Sequence, residues 1–440
     1  MLIQFTVKNF RSFKEEATFS MIREGGLRLS SKCDNEDRAG GFQTLRTAAI
    51  FGPNAAGKSN LIHAMKVAQA LIVNNTLPKR DFSFVLDKNF KGKPSSFEFE
   101  FKANGRAYSY GFETTYQQVS SEWLKEVDKK NQDKLIFERD LTKEGYSYNF
   151  DKTGEFILSE ELNSLESISE GTGPSMLFLH DVSKIRKKES FSNQFTWFDY
   201  CLTILTTNEE VSMPWVMQLL DLNAFKKFIS SVLQEAGTGI KSVAISENKE
   251  EIPLFIKEKL DTNLENGEYC DLPAVHGYNR SHFAHRDSEG KLHVYGFVCY
   301  HEDADGNLVP FEFEDESHGT QRLIDLAPAF FHPAPAGTVL IIDEVESQLH
   351  PFITKFLLQL HMDNVYRQNA QFIFSTHEYY LLNQDFLRRD QIWFVEKNNK
   401  GASEAYSLSE FDVRYDKDIH RDYMLGRYGA IPNIGDIGGI

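Results

Sequence analysis

Three apolar runs of strand length stand out along the chain. Ala48-Ala49-Ile50-Phe51, Val339-Leu340-Ile341-Ile342 and Phe372-Ile373-Phe374 contain no polar residue. Strands buried on both faces of a parallel sheet read this way. Elsewhere the period is two. Ile3, Phe5 and Val7 alternate with Gln4, Thr6 and Lys8, which predicts a half-buried strand. Phe97, Phe99 and Phe101 alternate with Glu98, Glu100 and Lys102, and Tyr108, Tyr110 and Phe112 resume after Ala103-Asn104-Gly105. An antiparallel hairpin is expected there. The period then becomes helical, through Phe195, Phe198, Leu202 and Leu205 and again through Leu222, Phe225, Ile229 and Val232, with Gly237 as a stop. After Pro351, Phe352, Phe356, Leu357 and Leu360 predict a crossover helix. The pattern divides the chain into an N-terminal lobe (1–150), a helical insertion (151–239) and a C-terminal lobe (240–440). Strands return in the last of these through "KLHVYGFVCYHEDADGNLVPFEFE".

The first apolar run leads into Gly52-Pro53-Asn54-Ala55-Ala56-Gly57-Lys58-Ser59, which fits the phosphate-loop spacing G-x-x-x-x-G-K-[ST]. Gly52 and Gly57 permit backbone angles that turn main-chain N–H groups, including those of Asn54, toward an anion. Ser59 and Asn60 open a helix, marked by Leu61, Ile62 and Met65, whose positive end favours phosphate. Lys58 is placed to reach the β- and γ-phosphates and the Ser59 hydroxyl to help hold Mg²⁺.

The second run ends in Asp343-Glu344. Asp343, at the carboxyl end of a central strand, is placed to bind Mg²⁺, and Glu344 to orient and deprotonate an attacking water. The third run ends in Ser375-Thr376-His377, with His377 placed to sense the γ-phosphate. A guanine-reading N-K-x-D is missing, because Asn399-Lys400-Gly401 is followed by Ala402, so ATP is expected rather than GTP.

This order of motifs resembles the ATPase heads of the ABC/SMC/RecF class. Two further stretches resemble the same class. "VKNFRSF" (Val7 to Phe13) is similar to the first strand and turn of those heads, which implies that Arg11 and Ser12 approach the nucleotide. "ESHGTQRL" (Glu316 to Leu323) stands where the class carries its signature loop, with Ser317 and Gly319 at matching positions. It reads Ser317-His318-Gly319-Thr320 where the class has Ser-Gly-Gly-Gln. Ser347, Leu349 and His350 match a loop that lines the dimer interface, and Gln117 and Gln118 are candidates for the Q-loop. The implied fold is α/β, a P-loop NTPase of ABC/SMC-head type, with a mixed sheet, an antiparallel β lobe and the helical insertion.

With fewer than a hundred residues, that insertion is too short for the coiled-coil arm of SMC proteins. The layout resembles the compact ATPases of phage-defence operons, of the AbiL/RloA type encoded beside an RloB-like partner, and the PARIS and Septu ATPase subunits. "LGRYGAIP" (Leu425 to Pro432) resembles that group's C-terminal segment. The resemblance implies ATP and Mg²⁺ as cofactors. It also implies a homodimer or higher homo-oligomer with ATP sandwiched between heads, and a nuclease- or RloB-like effector from a neighbouring gene. Nucleic acid would be met through that partner. About 60 residues follow His377, too few for the Toprim domain that OLD-family nucleases carry. A RecF-like ATPase acting directly on DNA is the alternative, and an ATP-dependent scaffold with rare turnover is a third reading.

Composition narrows these choices. A formal charge of −16, from 48 basic and 64 acidic residues among 440, argues against coating nucleic acid through bulk charge. The basic stretches Lys184 to Ser190 and Pro78 to Lys93 read as solvated faces. No run approaches a membrane span and the N-terminus reads as a strand, so a cytoplasmic protein is expected. Cys33, Cys201, Cys270 and Cys299 form no C-x-x-C pair and read as reduced thiols. His276, His282 and His285, with His293 and His301 downstream, lie close along the chain but lack metal-ligand spacing, and read as a polar loop and strand.

Overall fold

The computed structural model describes residues 1–25, 39–130, 132–207, 213–248, 252–272, 281–331, 337–363, 370–413 and 417–432. Cys33 and His276 lie outside the described residues. From the N-terminus come β1 (Leu2–Lys8), β2 (Ala17–Ser20), β3 (Thr47–Phe51) and α1 (Lys58–Asn74). Five strands follow: β4 (Ser95–Ala103), β5 (Arg106–Thr114), β6 (Val119–Glu126), β7 (Lys134–Thr142) and β8 (Gly145–Phe150). Next are α2 (Ser159–Gly171), β9 (Leu202–Leu205), α3 (Met213–Leu220), α4 (Asn223–Glu235), β10 (Ser242–Asn248) and α5 (Leu254–Asn263). Then β11 (Tyr269–Asp271), β12 (His282–Arg286), β13 (Leu292–Glu302) and β14 (Leu308–Glu312) lead to α6 (His318–Phe331). The chain closes with β15 (Val339–Ile342), α7 (Pro351–Asp363), β16 (Gln371–Ser375), β17 (Ile392–Lys397), β18 (Ser403–Ser407) and α8 (Ile419–Met424).

Two compact units result, one of residues 1–207, 334–346 and 358–440, the other of residues 208–333 and 347–357. The division at 207 differs from the one the periodicity suggests at 150 and 239. Its cause is β9, which pairs in parallel with β15 and so ties the stretch before it into the first unit. Leu202 and Leu205, read as helical from their spacing with Phe198, belong to that strand. The helix preceding it ends at Cys201. Spacing of three puts Leu202 and Leu205 on one face of a helix or on opposite faces of a strand. Over so short a run apolar residues on both faces suit a strand too, and the sheet decides between them.

In the first unit a six-stranded sheet runs β18-β17-β3-β16-β15-β9, parallel throughout except for β18 at its edge. All five positions of β3 and of β16 are buried, the apolar Ala48–Phe51 and Phe372–Phe374 together with the flanking Thr47, Gln371 and Ser375. A second, seven-stranded antiparallel sheet has the order β2-β1-β4-β5-β6-β7-β8. The β4–β5 hairpin aligns Phe97 with Phe112, Phe99 with Tyr110 and Phe101 with Tyr108. Asn104 and Gly105 turn it with φ of 47° and 75°, the positive values a two-residue hairpin turn needs. Helix α1 carries Leu61, Met65 and Ile72 into one cluster with Phe97, Phe99 and Phe101 of the antiparallel sheet and with Ile204, Ile341 and Ile373 of the parallel one. Each such side chain, fully buried, contributes roughly 1.5–3 kcal/mol. The result is a phosphate-loop helix clamped along its length.

The second unit is built on the antiparallel sheet β10-β13-β12-β11, with β14 also paired to β13. Ile256 and Leu260 of α5, with Leu264 just after it, pack on Ala284 and Val294. His293 bonds Glu247 and Asp287, and His301 bonds Glu316. In α7 the buried residues are Thr354, Leu357, Leu358, His361 and Met362. Phe352, expected on the inner stripe, is 77% exposed. Among the described residues, no helix is long and apolar enough to cross a membrane.

Candidate functional site

Strands β3, β9, β15 and β16 run in parallel, so the loops leaving their carboxyl ends share one edge of the sheet, where open α/β sheets collect ligands. The phosphate loop leaves β3 there. Gly52 has φ 152°, and a Cβ on it would stand 2.1 Å from the Val395 carbonyl oxygen. Gly57 has φ 121°, and its Cβ would meet Ser403 Oγ at 2.3 Å. Both glycines are therefore required by close approach as well as by backbone angle. Ser403 Oγ donates to the Ala56 carbonyl at 2.5 Å, pinning the loop to β18. Asn54 and Ser59 are exposed, Ser59 in the first turn of α1.

Lys58 is 4% exposed. Its Nζ donates to the carbonyls of Gly52 (2.8 Å) and Pro53 (3.3 Å) and lies 3.2 Å from His377 Nε2. Burial pushes the ammonium down from 10.5 to about 8, while the charges of Glu344, Glu346 and Asp343 act in the opposite direction. Burial, and then the charge of Lys58, hold His377 below the ordinary histidine range. The ring is accordingly neutral at pH 7, and its Nε2 accepts from Lys58. His377 Nε2 also stands 4.0 Å from Glu344 Oε1.

Asp343 sits just past β15 with 4% exposure. Its Oδ1 accepts from Ser375 Oγ at 2.5 Å and its Oδ2 from Thr207 Oγ1 at 3.2 Å. Ser375 Oγ in turn accepts the Glu344 N–H at 2.8 Å. Glu344 adopts φ 49°, a conformation that side-chain-bearing residues occupy only when their surroundings enforce it. One serine thus orients both acids. Two residues on, Glu346 Oε1 accepts the His377 N–H at 2.6 Å.

Beside α1, Arg11 donates to Asn60 Oδ1 at 3.3 Å and meets His63 Nε2 at 2.7 Å, while Asn60 Nδ2 donates to Ser12 Oγ at 2.8 Å. A cavity of about 680 Å³ opens here, lined by Arg11, Ser12, Asn60, His63, Lys79 and Phe82 among others. A second cavity, about 780 Å³, is lined by Gly52–Ala56 and His377 and by Tyr423, Ile431 and Pro432, the last two closing the "LGRYGAIP" stretch.

The structure therefore gathers Lys58, Asp343, Glu344 and His377, and sets Arg11, Ser12 and Asn60 against the same helix. Ser317 and Gly319 belong to the second unit. There the Ser317 hydroxyl caps α6 by accepting the Thr320 N–H at 3.2 Å, and a Cβ on Gly319 would stand 2.9 Å from the Gln348 carbonyl oxygen. Gln117 and Gln118 lie in the tight turn between β5 and β6, where Gln118 pairs with Thr115. The strand beside β15 is β9, and the residue at its end that reaches Asp343 is Thr207. Thr207, Ser375, Glu346, His63 and Ser403 escape the motifs. Ser375 stands inside the third motif and Glu346 two residues beyond the second, but which cross-strand partner each meets is a matter of register.

A family model described as "AAA domain, putative AbiEii toxin, Type IV TA system" matches residues 48–383. Among curated proteins nothing matches. Solved structures similar to the chain include an SMC head bound to the C-winged helix domain of ScpA, 17% identical with TM-score 0.44, covering 92% of this chain and 97% of that one. An SMC head domain from Thermotoga maritima is 15% identical with TM-score 0.36, covering 92% and 98%. The family match takes in the phosphate loop, the Asp343-Glu344 strand and His377 within one alignment spanning about three quarters of the 440 residues. This chain belongs to the AAA-domain family of putative AbiEii toxins of type IV toxin–antitoxin systems.

Proposed function

We propose that the protein is a cytoplasmic ATPase whose site is completed by a second copy, and that nucleotide-dependent assembly controls an effector chain in defence against phage. The observation that carries the reading is the cluster of Lys58, His377, Glu344, Ser375 and Asp343 at the carboxyl edge of the parallel sheet, joined by hydrogen bonds except where His377 approaches Glu344 at 4.0 Å. A buried ammonium beside three carboxylates and a helix N-terminus is a receptor for a polyphosphate bridged by a cation. The donor set fits Mg²⁺: one carboxylate, Asp343, held by two hydroxyls, and the exposed hydroxyl of Ser59, few protein oxygens that leave room for phosphate and water. When bound, Mg²⁺ supplies neutralisation of phosphate charge.

Lys58 binds the phosphates and Asn54, Gly57 and Asn60 line the loop and helix start. Glu344 takes the proton of the attacking water, and neutral His377 faces the transferred group. The cavity bounded by Arg11, Ser12 and Asn60 adjoins the helix start and suits the nucleoside. Ser317 and Gly319, at the N-terminus of α6, present N–H groups suited to the phosphates of a neighbouring copy. The family description supports the defence setting. The test is Glu344→Gln with ATP, followed by light scattering after gel filtration. An ATP-dependent dimer or larger assembly is expected, absent in Lys58→Ala; a Glu344→Gln protein that binds ATP yet stays monomeric overturns the shared site.

A further inference from the structure

Beyond the ends of β15 and β16 the pairing between the two strands continues as single bonds. Ser375 Oγ reaches Asp343 and the Glu344 N–H, and the Val345 N–H donates to the Ser375 carbonyl at 3.2 Å. On the far side, the Thr376 N–H donates to Ile50 of β3. The next N–H directed toward the Asp-Glu side is that of His377, and main chain no longer meets it. A side chain does: Glu346 Oε1, at 2.6 Å. The other oxygen, Oε2, is buried and makes no hydrogen bond. A carboxylate with one oxygen desolvated and unmatched costs stability at its own position, so its presence calls for a reason outside local folding. Its charge acts on Lys58, and its direct contact is the bond to His377.

We propose that Glu346 is a positioning residue for hydrolysis, tethering the loop that carries His377 to the strand end that carries Asp343 and Glu344. The tether fixes the backbone of His377, and through it the ring that stands 3.2 Å from Lys58 and 4.0 Å from Glu344. Without it the His377 N–H has no partner and the loop leaving β16 loses its last link to the acid strand. The role rests on the ATPase reading above, and it is separable from that reading.

The experiment measures kcat and ATP affinity for the full chain and for Glu346→Ala, Glu346→Gln, His377→Ala and the Glu346→Ala/His377→Ala pair. Wild-type turnover that is absent in Lys58→Ala establishes the ATPase first; no turnover in wild type overturns that reading and with it any role of the tether in hydrolysis. Given turnover, Glu346→Ala lowers kcat by about tenfold to a hundredfold, the usual consequence of a misplaced group, with affinity within about threefold of wild type. Glu346→Gln keeps a carbonyl acceptor for the His377 N–H and holds kcat within about threefold. In the His377→Ala background, Glu346→Ala adds nothing, since both act at one point. Full activity in Glu346→Ala overturns the tether. So does a Gln variant as impaired as the Ala one, which assigns the effect to charge, or additive losses in the pair. If Glu346→Ala does not fold, the Gln variant alone decides.

Discussion

Lys58 offers the sharpest quantitative test of how the site binds nucleotide, because its burial leaves a titration near the working pH. In the free protein the ammonium is pushed down to about 8 by burial, only partly offset by Glu344, Glu346 and Asp343. Contact with a triphosphate replaces lost hydration by several negative charges, which returns the group to its ordinary range above 10. A proton is therefore taken up on binding wherever the free form has begun to lose it. The sign follows: affinity is at its plateau below pH 8 and falls about tenfold for each further pH unit. At pH 9.5 the loss is roughly 30-fold, about 2 kcal/mol. Calorimetry with a non-hydrolysable ATP analogue and Mg²⁺, at constant ionic strength from pH 7 to 9.5, reads both the affinity and the proton uptake when buffers of different ionisation enthalpy are compared. Lys58→Arg carries a permanent charge, so its affinity, whatever its level, loses this slope. Folding shows the opposite trend. With the folded value depressed, the unfolded chain binds more protons between about 8 and 10.5, and the Lys58 contribution to the stability of the free protein rises with pH across that window. A wild-type affinity that is equal at pH 7.5 and 9.5 refutes the claim that this ammonium is desolvated and phosphate-facing.

Three further outcomes follow from geometry. Ser375→Ala removes a charge-assisted bond to Asp343 and the acceptor of the Glu344 N–H. It costs about 2–4 kcal/mol in all, seen as a lower urea midpoint together with slower ATP turnover. Gly57→Ala forces a Cβ against Ser403 Oγ at a φ of 121°, so ATP affinity collapses, and adding Ser403→Gly relieves the contact without restoring the angle. Arg139, fully buried, faces Glu122 at 3.6 Å and donates to the carbonyls of Met176 and Gly173. Arg139→Ala strands Glu122 and lowers unfolding free energy by about 3–5 kcal/mol, while ATP affinity of the folded fraction is unchanged.

The parts of the structure legible in the sequence are those set by local spacing. Asn104-Gly105 specifies its hairpin because only positive φ closes a two-residue turn, and the buried strands declare themselves by central runs with no polar residue. Lys58, Asp343, Glu344 and His377 are legible because each stands at a fixed offset from an apolar strand. What escapes is whatever depends on a neighbour distant in sequence. Thr207 matters through β9, and β9 is disguised by a Phe198-Leu202-Leu205 spacing that suits a helix equally well. The inner stripe of α7 is displaced from the expected one, because aromatic size drew attention to Phe352 while Thr354 and His361 take buried places. Glu346 reads as one more acid in an acidic turn until the β15–β16 register brings the His377 N–H to it.

That register also explains how four loops from four strands act as one receptor. Thr207 holds Asp343, Asp343 and Glu344 share Ser375, Glu346 holds His377, and His377 meets Lys58, which lies across the carbonyls of its own loop. Each of these four strand ends is thus bonded to the next, and Lys58 is the link most easily exchanged, since its direct partners are two carbonyls and a neutral imidazole while the three carboxylates act on it without a direct bond. A phosphate that draws Lys58 Nζ off the Gly52 and Pro53 carbonyls takes it from His377 Nε2 in the same movement. The imidazole is then an unpaired acceptor 4.0 Å from the Glu344 carboxylate. Under the proposed function, binding phosphate and freeing His377 are in this way one displacement. Coupling of this kind requires the His377 backbone to stay fixed while its ring changes partner, and the Glu346 carboxylate supplies that fixed point.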